Sequence, residues 1–81
     1  MIGYYIKKPV TVSAVKWTGD NIGEIKAFTD NKAMLKEGSL IIPTLEGTMV
    51  ANKGSYIIKG VNGEFYPCRE DVFEDTYDKV I

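Results

Sequence analysis

The chain predicts an α+β fold: an antiparallel β-meander sheet of about five strands, one amphipathic helix and a short C-terminal helix. Three observations carry that expectation. Between Ser39 and Cys68, short apolar runs are separated by Glu46-Gly47, Lys53-Gly54 and Asn62-Gly63, and Gly supplies the positive φ that tight reversals demand. Upstream, Ile22, Ile25 and Phe28 or Thr29 recur at the three- and four-residue spacing of one helix face. The 81 residues, 44% apolar, support one core and not two, so residues 1–81 form a single domain.

Taken in order, Tyr4 to Lys16 reads as a first strand. Val10, Val12 and Ala14 alternate with Thr11, Ser13 and Val15, and Pro9 interrupts or starts it because it cannot donate to a ladder. Thr18-Gly19-Asp20 is a turn, and Thr18 or Asp20 can cap the helix that follows. Glu24 in its first turn suits the helix dipole, and Asp30-Asn31 ends it. The meander strands are Ser39–Thr44, Thr48–Ala51, Ser55–Lys59 and Glu64–Cys68, with Asn62-Gly63 as the strongest hairpin signal. Arg69 to Asp75 forms one or two helical turns with Glu70 or Asp71 near the start. The tail, Thr76 to Ile81, alternates weakly and can pair as a last edge strand.

Composition excludes several functional classes. Ten Lys+Arg against eleven Asp+Glu give a net charge of −1, which argues against general nucleic-acid binding because a basic face is what displaces counterions from phosphates. The chain has no His and one Cys, Cys68. Nitrogen- or sulfur-ligated metals therefore have no donor set, and a lone Cys fits a reducing cytoplasm. MIGYYIKKP lacks the apolar core of a signal peptide, and no apolar run reaches the ~18 residues of a membrane span. A core this thin favours pairing with another copy, so a homodimer or higher homo-oligomer is expected.

Three segments then carry a resemblance. Pro9-Val10-Thr11-Val12-Ser13-Ala14-Val15-Lys16-Trp17, Thr44-Leu45-Glu46-Gly47, and Lys53 through Tyr77 resemble a widespread family of small phage and prophage proteins. Members show PV-x-V-x-A-x-x-W, then TLEG, then PGDYIIKGVKGEFYPC-x-PDIFE-x-TYE. Lys53, Ser55 and Glu70 depart from that pattern at Pro, Asp and Pro, which softens turns without removing them. The resemblance implies a non-catalytic accessory protein in the cytoplasm of an infected bacterial host. Proteins of that kind often counter host defence, by trapping a nucleotide signal or by blocking a host protein. A structural or assembly component of the phage particle is the alternative it leaves open.

No catalytic constellation accompanies these motifs. Acyl-transfer nucleophiles lean on a base, commonly His, and nothing places a substitute beside Ser13, Ser39, Ser55 or Cys68. No phosphate-cradling Gly loop is present, since the Gly residues sit singly at strand ends. We therefore expect no enzyme activity, no catalytic residue, no metal and no cofactor. Glu70, Asp71, Glu74, Asp75 and Asp78 can line one helix side, where a divalent cation or mimicry of a phosphate backbone competes with a solvated face. The solvated face is the simpler account.

For ligand binding the candidates are Trp17, Lys16, Tyr66, Arg69 and Tyr56. Trp17 serves either as a core anchor or as a platform that stacks a base, with Lys16 or Arg69 meeting phosphate. Tyr56 and Tyr66 alternate with Ile57 and Phe65, so one short helix leaves one sheet face exposed as a dimer or binding surface. Arg69, the only Arg, can fork onto phosphate or tie down Glu70 and Asp71.

Overall fold

Eight elements follow one another in the computed structural model, which describes residues 1–81: β1 (Ser13–Lys16), α1 (Ile22–Phe28), β2 (Met34–Lys36), β3 (Ser39–Thr44), β4 (Gly47–Ala51), β5 (Tyr56–Lys59), β6 (Phe65–Cys68) and α2 (Glu70–Thr76). The fold is α+β, but the strands divide into two antiparallel three-stranded sheets, ordered β1-β5-β6 and β2-β3-β4. The expected single meander sheet is corrected here. Its four strands exist within a residue or two of the expected bounds, yet β4 and β5 do not pair.

The break lies at Asn52–Ser55. Gly54, at φ +97°, turns the chain out of the second sheet, a conformation that L side chains rarely adopt. Its N–H donates to the Trp17 carbonyl at 2.7 Å, and the Trp17 N–H donates to the Ser55 carbonyl at 2.8 Å. These bonds prolong the β1–β5 ladder, in which Ser13 to Lys16 face Lys59 to Tyr56. The N-terminal strand has thus taken the place beside β5 that a meander would give to β4. Lys53-Gly54 reads like a hairpin turn because both uses need the same backbone.

Three further expectations are revised. The first strand is four residues, not thirteen, because its partner β5 offers only four; Tyr4, Tyr5 and Ile6 lie exposed. Residues 77–81 form no edge strand, since Tyr77 remains against Phe73, with ring centroids 4.9 Å apart. Neither Thr18 nor Asp20 caps α1. Asn21 occupies the cap position without bonding the helix N–H groups; its side chain accepts from Thr18 and donates to the Lys16 carbonyl and Glu24. It therefore ties the β1–α1 turn together.

β2 was not foreseen. Glu37 and Gly38 both take positive φ (53° and 82°), the requirement of a two-residue type I′ hairpin, and Lys36 pairs with Ser39 across it. The Asn62-Gly63 hairpin forms with a different turn. Only Gly63 has positive φ, and Gly63 N–H donates to Gly60 while Gly60 N–H donates to Glu64. That is a three-residue loop closed by a Gly bulge.

A single apolar cluster joins both sheets and α1: Trp17, Ile25, Ala33, Leu40, Ile42, Ala51, Ile57 and Phe65, with Val15, Ile22 and Phe28 packed against it. Phe28 meets Phe65 edge to face at 5.8 Å, a favoured aromatic arrangement. Thr29, buried at the end of α1, donates to the Ile25 carbonyl and accepts from the Ala33 N–H, so its hydroxyl carries no unsatisfied group into the core. No helix is long and apolar enough to cross a membrane.

Candidate functional site

Pairing register decides which side chains share a face, because residues directly opposite on antiparallel strands point the same way. In the first sheet Val15, Ile57 and Phe65 face the core. Lys16, Tyr56 and Cys68, with Ala14, Ile58 and Tyr66, face the other way. The sequence leaves open which face of this sheet is exposed, and α2 covers this outer one. Tyr56 stacks on Phe73 with centroids 3.9 Å apart and planes at 12°, and Ile58 beneath is only 1% exposed yet lies outside the main cluster. The exposed sheet face belongs instead to the second sheet, where Met34, Ile41 and Val50 form one row with Met34 53% and Val50 56% exposed.

Four of the five candidate ligand residues are occupied by these arrangements. Trp17 is 4% exposed and fills the core, so it presents no ring to a base. Tyr56 lies under Phe73. Lys16 pairs with Glu70 of α2, which raises its ammonium above its ordinary value. Arg69 grips Asp71 through both Nε and Nη2, at 3.1 and 2.6 Å. That fork holds the Asp71 carboxyl below the usual range and raises the guanidinium. The intrachain role of Arg69 is the one the structure displays.

Two hollows remain. The shallower, about 380 Å³, is lined by Asn52, Lys53, Gly54, Ser55, Arg69, Glu70 and Asp71 and has no apolar wall. The other, about 470 Å³, runs between the β3–β4 turn and β6, within the size range of small-molecule sites. Leu45, Met49, Phe65 and Pro67 give it apolar walls, and Asn62, Glu64 and Tyr66 give it polar groups. Trp17, Tyr66 and Arg69 do not converge: Tyr66 lines the larger groove, Arg69 the shallower hollow, and Trp17 neither.

Within the groove Glu64 stands out. Its side chain folds back over Gly60, where a Cβ would collide with the carboxylate oxygen Oε1. The second oxygen, Oε2, is enclosed and has no hydrogen-bond partner, and an unpaired buried acceptor costs about 1–3 kcal/mol or more. Burial, followed by the neighbouring Tyr77 hydroxyl, raises the Tyr66 phenol above its usual value. Lys32 and Lys59 stand 5.6 and 5.9 Å from the centroid of Phe65, a wall of the same groove, and neither is engaged by a carboxylate.

The groove was only partly legible beforehand. Tyr66 was singled out; Asn62 was read as a turn residue and Glu64 as the start of a strand. The signal available was an acid directly after a Gly turn and directly before Phe65-Tyr66, which sets a carboxylate at the mouth of an aromatic strand. Elsewhere, Cys68 is half-buried and its thiol is pushed up by burial and then by Asp71, which leaves little reactive thiolate. No three acidic or Cys side chains gather in a way that holds a metal ion. No protein-family model matches this chain, and no curated protein or solved structure is significantly similar to it.

Proposed function

We propose that this protein is a phage or prophage accessory protein that acts by binding, without turnover, and that it traps a nucleotide-type host signal in the groove between the β3–β4 turn and β6. The observation that carries the reading is the enclosed, unpartnered Oε2 of Glu64. Folded over Gly60 and turned into the groove that it lines, this carboxylate accepts hydrogen bonds from a ligand rich in N–H groups, such as the edge of a purine base, which folding leaves it without. Tyr66, Phe65 and the apolar walls supply contact surface. Lys32 and Lys59 flank Phe65 outside the groove's lining, and as point charges rather than forks they suit phosphates that project beyond it, away from Glu46 and Glu64.

Groups strained by an unmet hydrogen bond are a recurrent sign of a binding site, because the ligand relieves what folding leaves unsatisfied. The candidate cations Lys16 and Arg69 are held by Glu70 and Asp71, whereas Glu64 Oε2 is the buried side-chain oxygen left without a partner. The setting we propose is the cytoplasm of an infected bacterium, where a captured signal no longer reaches its effector.

Calorimetry against a panel of linear and cyclic mono- and dinucleotides tests this. Binding by at least one member, lost in Glu64→Gln and weakened in Tyr66→Ala, supports the reading. A folded protein that binds no nucleotide refutes it. A second reading, obstruction of a host protein, draws on the exposed Met34–Ile41–Val50 row, since apolar rows of this kind mark contact surfaces. Capture of a defined host protein, abolished by Met34→Lys, distinguishes it. Presence in purified particles at stoichiometric levels favours an assembly role over both.

A further inference from the structure

The two sheets have four edges, and three of them are guarded in ways that block strand addition. β1 carries Lys16, held by Glu70 of α2. β2 is only three residues long and ends in Lys36. β6 contains Pro67, which has no N–H to offer. β4, Gly47-Thr48-Met49-Val50-Ala51, has no charge and no Pro. Apart from the Gly47 carbonyl, which accepts from the Thr44 hydroxyl, its backbone bonds only to β3.

The direction of its free groups follows from its partner strand. Pro43 lies opposite Thr48 and cannot donate, so that pair is a non-hydrogen-bonded one. Antiparallel pairs alternate; hence Ile42 and Met49 exchange bonds, while Thr48 and Val50 turn N–H and C=O away from β3. Two outward-facing residues with one between them are self-complementary about a two-fold axis at Met49. Thr48 then meets Val50 of a second copy and Val50 meets Thr48, so both outward donor–acceptor pairs are satisfied in one register. An uncharged strand incurs no like-charge repulsion at that axis.

We infer that β4 is the edge through which two copies of this chain pair, antiparallel and centred on Met49, into one continuous six-stranded sheet. The dimer aligns the exposed Met34–Ile41–Val50 row of each copy with Thr48 and Pro43 of the other, which gives one uninterrupted outer face. A second copy is the occupant because β4 carries no charge to repel its own image across the axis and no Pro to interrupt the pairing, whereas the other three edges are closed to it. Five residues a side, with Leu45 and Met49 adding side-chain contact, cover less than the ~800 Å² per partner of a standard interface, so the association is weak and reversible. Leu45 and Met49 also wall the groove, so pairing is assayed in protein free of nucleotide.

Sedimentation velocity over a series from low micromolar to near-millimolar protein, with amide hydrogen exchange at both ends, tests the inference. Wild type shifts from monomer to dimer, and the Thr48 and Val50 amides slow as it does. Val50→Lys, which sets like charges beside the axis at an exposed position, raises the half-association concentration by about tenfold or more. Thr48→Lys does the same if Val50→Lys fails to fold. A monomer at every concentration leaves this edge to a foreign strand and overturns the inference. So does a dimer that neither substitution weakens, or one that leaves the Thr48 and Val50 amides unchanged.

Discussion

Phe73→Ala removes the contact that seats α2. The helix has seven residues, no side-chain bond at its N-cap and no fully buried residue, so little inside it resists detachment; isolated helices of that length do not persist. Its hold is the Tyr56–Phe73 stack, the Tyr77 contact and the exposed Lys16–Glu70 pair. A half-buried Phe contributes about half of the ~1.5–3 kcal/mol of full burial, and a stacked pair adds ~0.5–1.5 kcal/mol. The sum is about 2 kcal/mol. In a domain of this size each kcal/mol moves Tm by ~4–8 °C, so thermal unfolding by circular dichroism falls by about 8–16 °C. Amide exchange at Ile58, sealed beneath the helix, accelerates with it. A loss below about 0.5 kcal/mol with Ile58 still protected would show that the helix is held by something other than its aromatic layer.

Other outcomes follow from the same geometry. Trp17→Ala, in the core, costs about 3–5 kcal/mol, read by urea titration, while any nucleotide affinity of the folded fraction is unchanged; a stable variant that has lost ligand would return Trp17 to the site. The Tyr66 phenol titrates higher folded than unfolded. Its contribution is therefore whole below the unfolded value near 10 and disappears as pH rises through the folded one. Wild type should lose stability relative to Tyr66→Phe only above about pH 10, and a gap that changes near neutrality contradicts this. Lys16→Ala, at an exposed pair, leaves the thermal midpoint nearly unchanged, and the small shift shrinks further in high salt; a large, salt-independent loss contradicts this.

What was legible in the chain was local. Alternation and Gly positions placed β3, β4, β5 and β6 within a residue or two, and the Ile22–Ile25–Phe28 spacing placed α1, because each depends on neighbours a few residues away. Long-range pairing was not legible: nothing in Lys53-Gly54 distinguishes a hairpin from a crossing between sheets, and the outcome depends on Val15 and Trp17 some forty residues earlier. The site failed for the same reason. Trp17 and Tyr56 have the chemistry of ligand residues, but burial and the arrival of Phe73 decide that they serve packing. Glu64 has an ordinary address in the sequence, and its importance lies in what its oxygen fails to meet. Tyr66 does line the groove, since its alternation with Phe65 along the strand survives any choice of sheet partner.

The crossing at Asn52–Ser55 divides the chain by the distance its ladders must span. One sheet is assembled from three strands in succession, between Met34 and Ala51; the other cannot close until residues 13–16 find residues 56–59. Loop closure over so long a stretch is the slow step in acquiring structure. The β2-β3-β4 unit therefore organises first and β1 docks late, so kinetic φ-values should be high at Ile42 and low at Ala14. With β4 available before the first sheet closes, the yield of refolded protein should fall as its concentration rises.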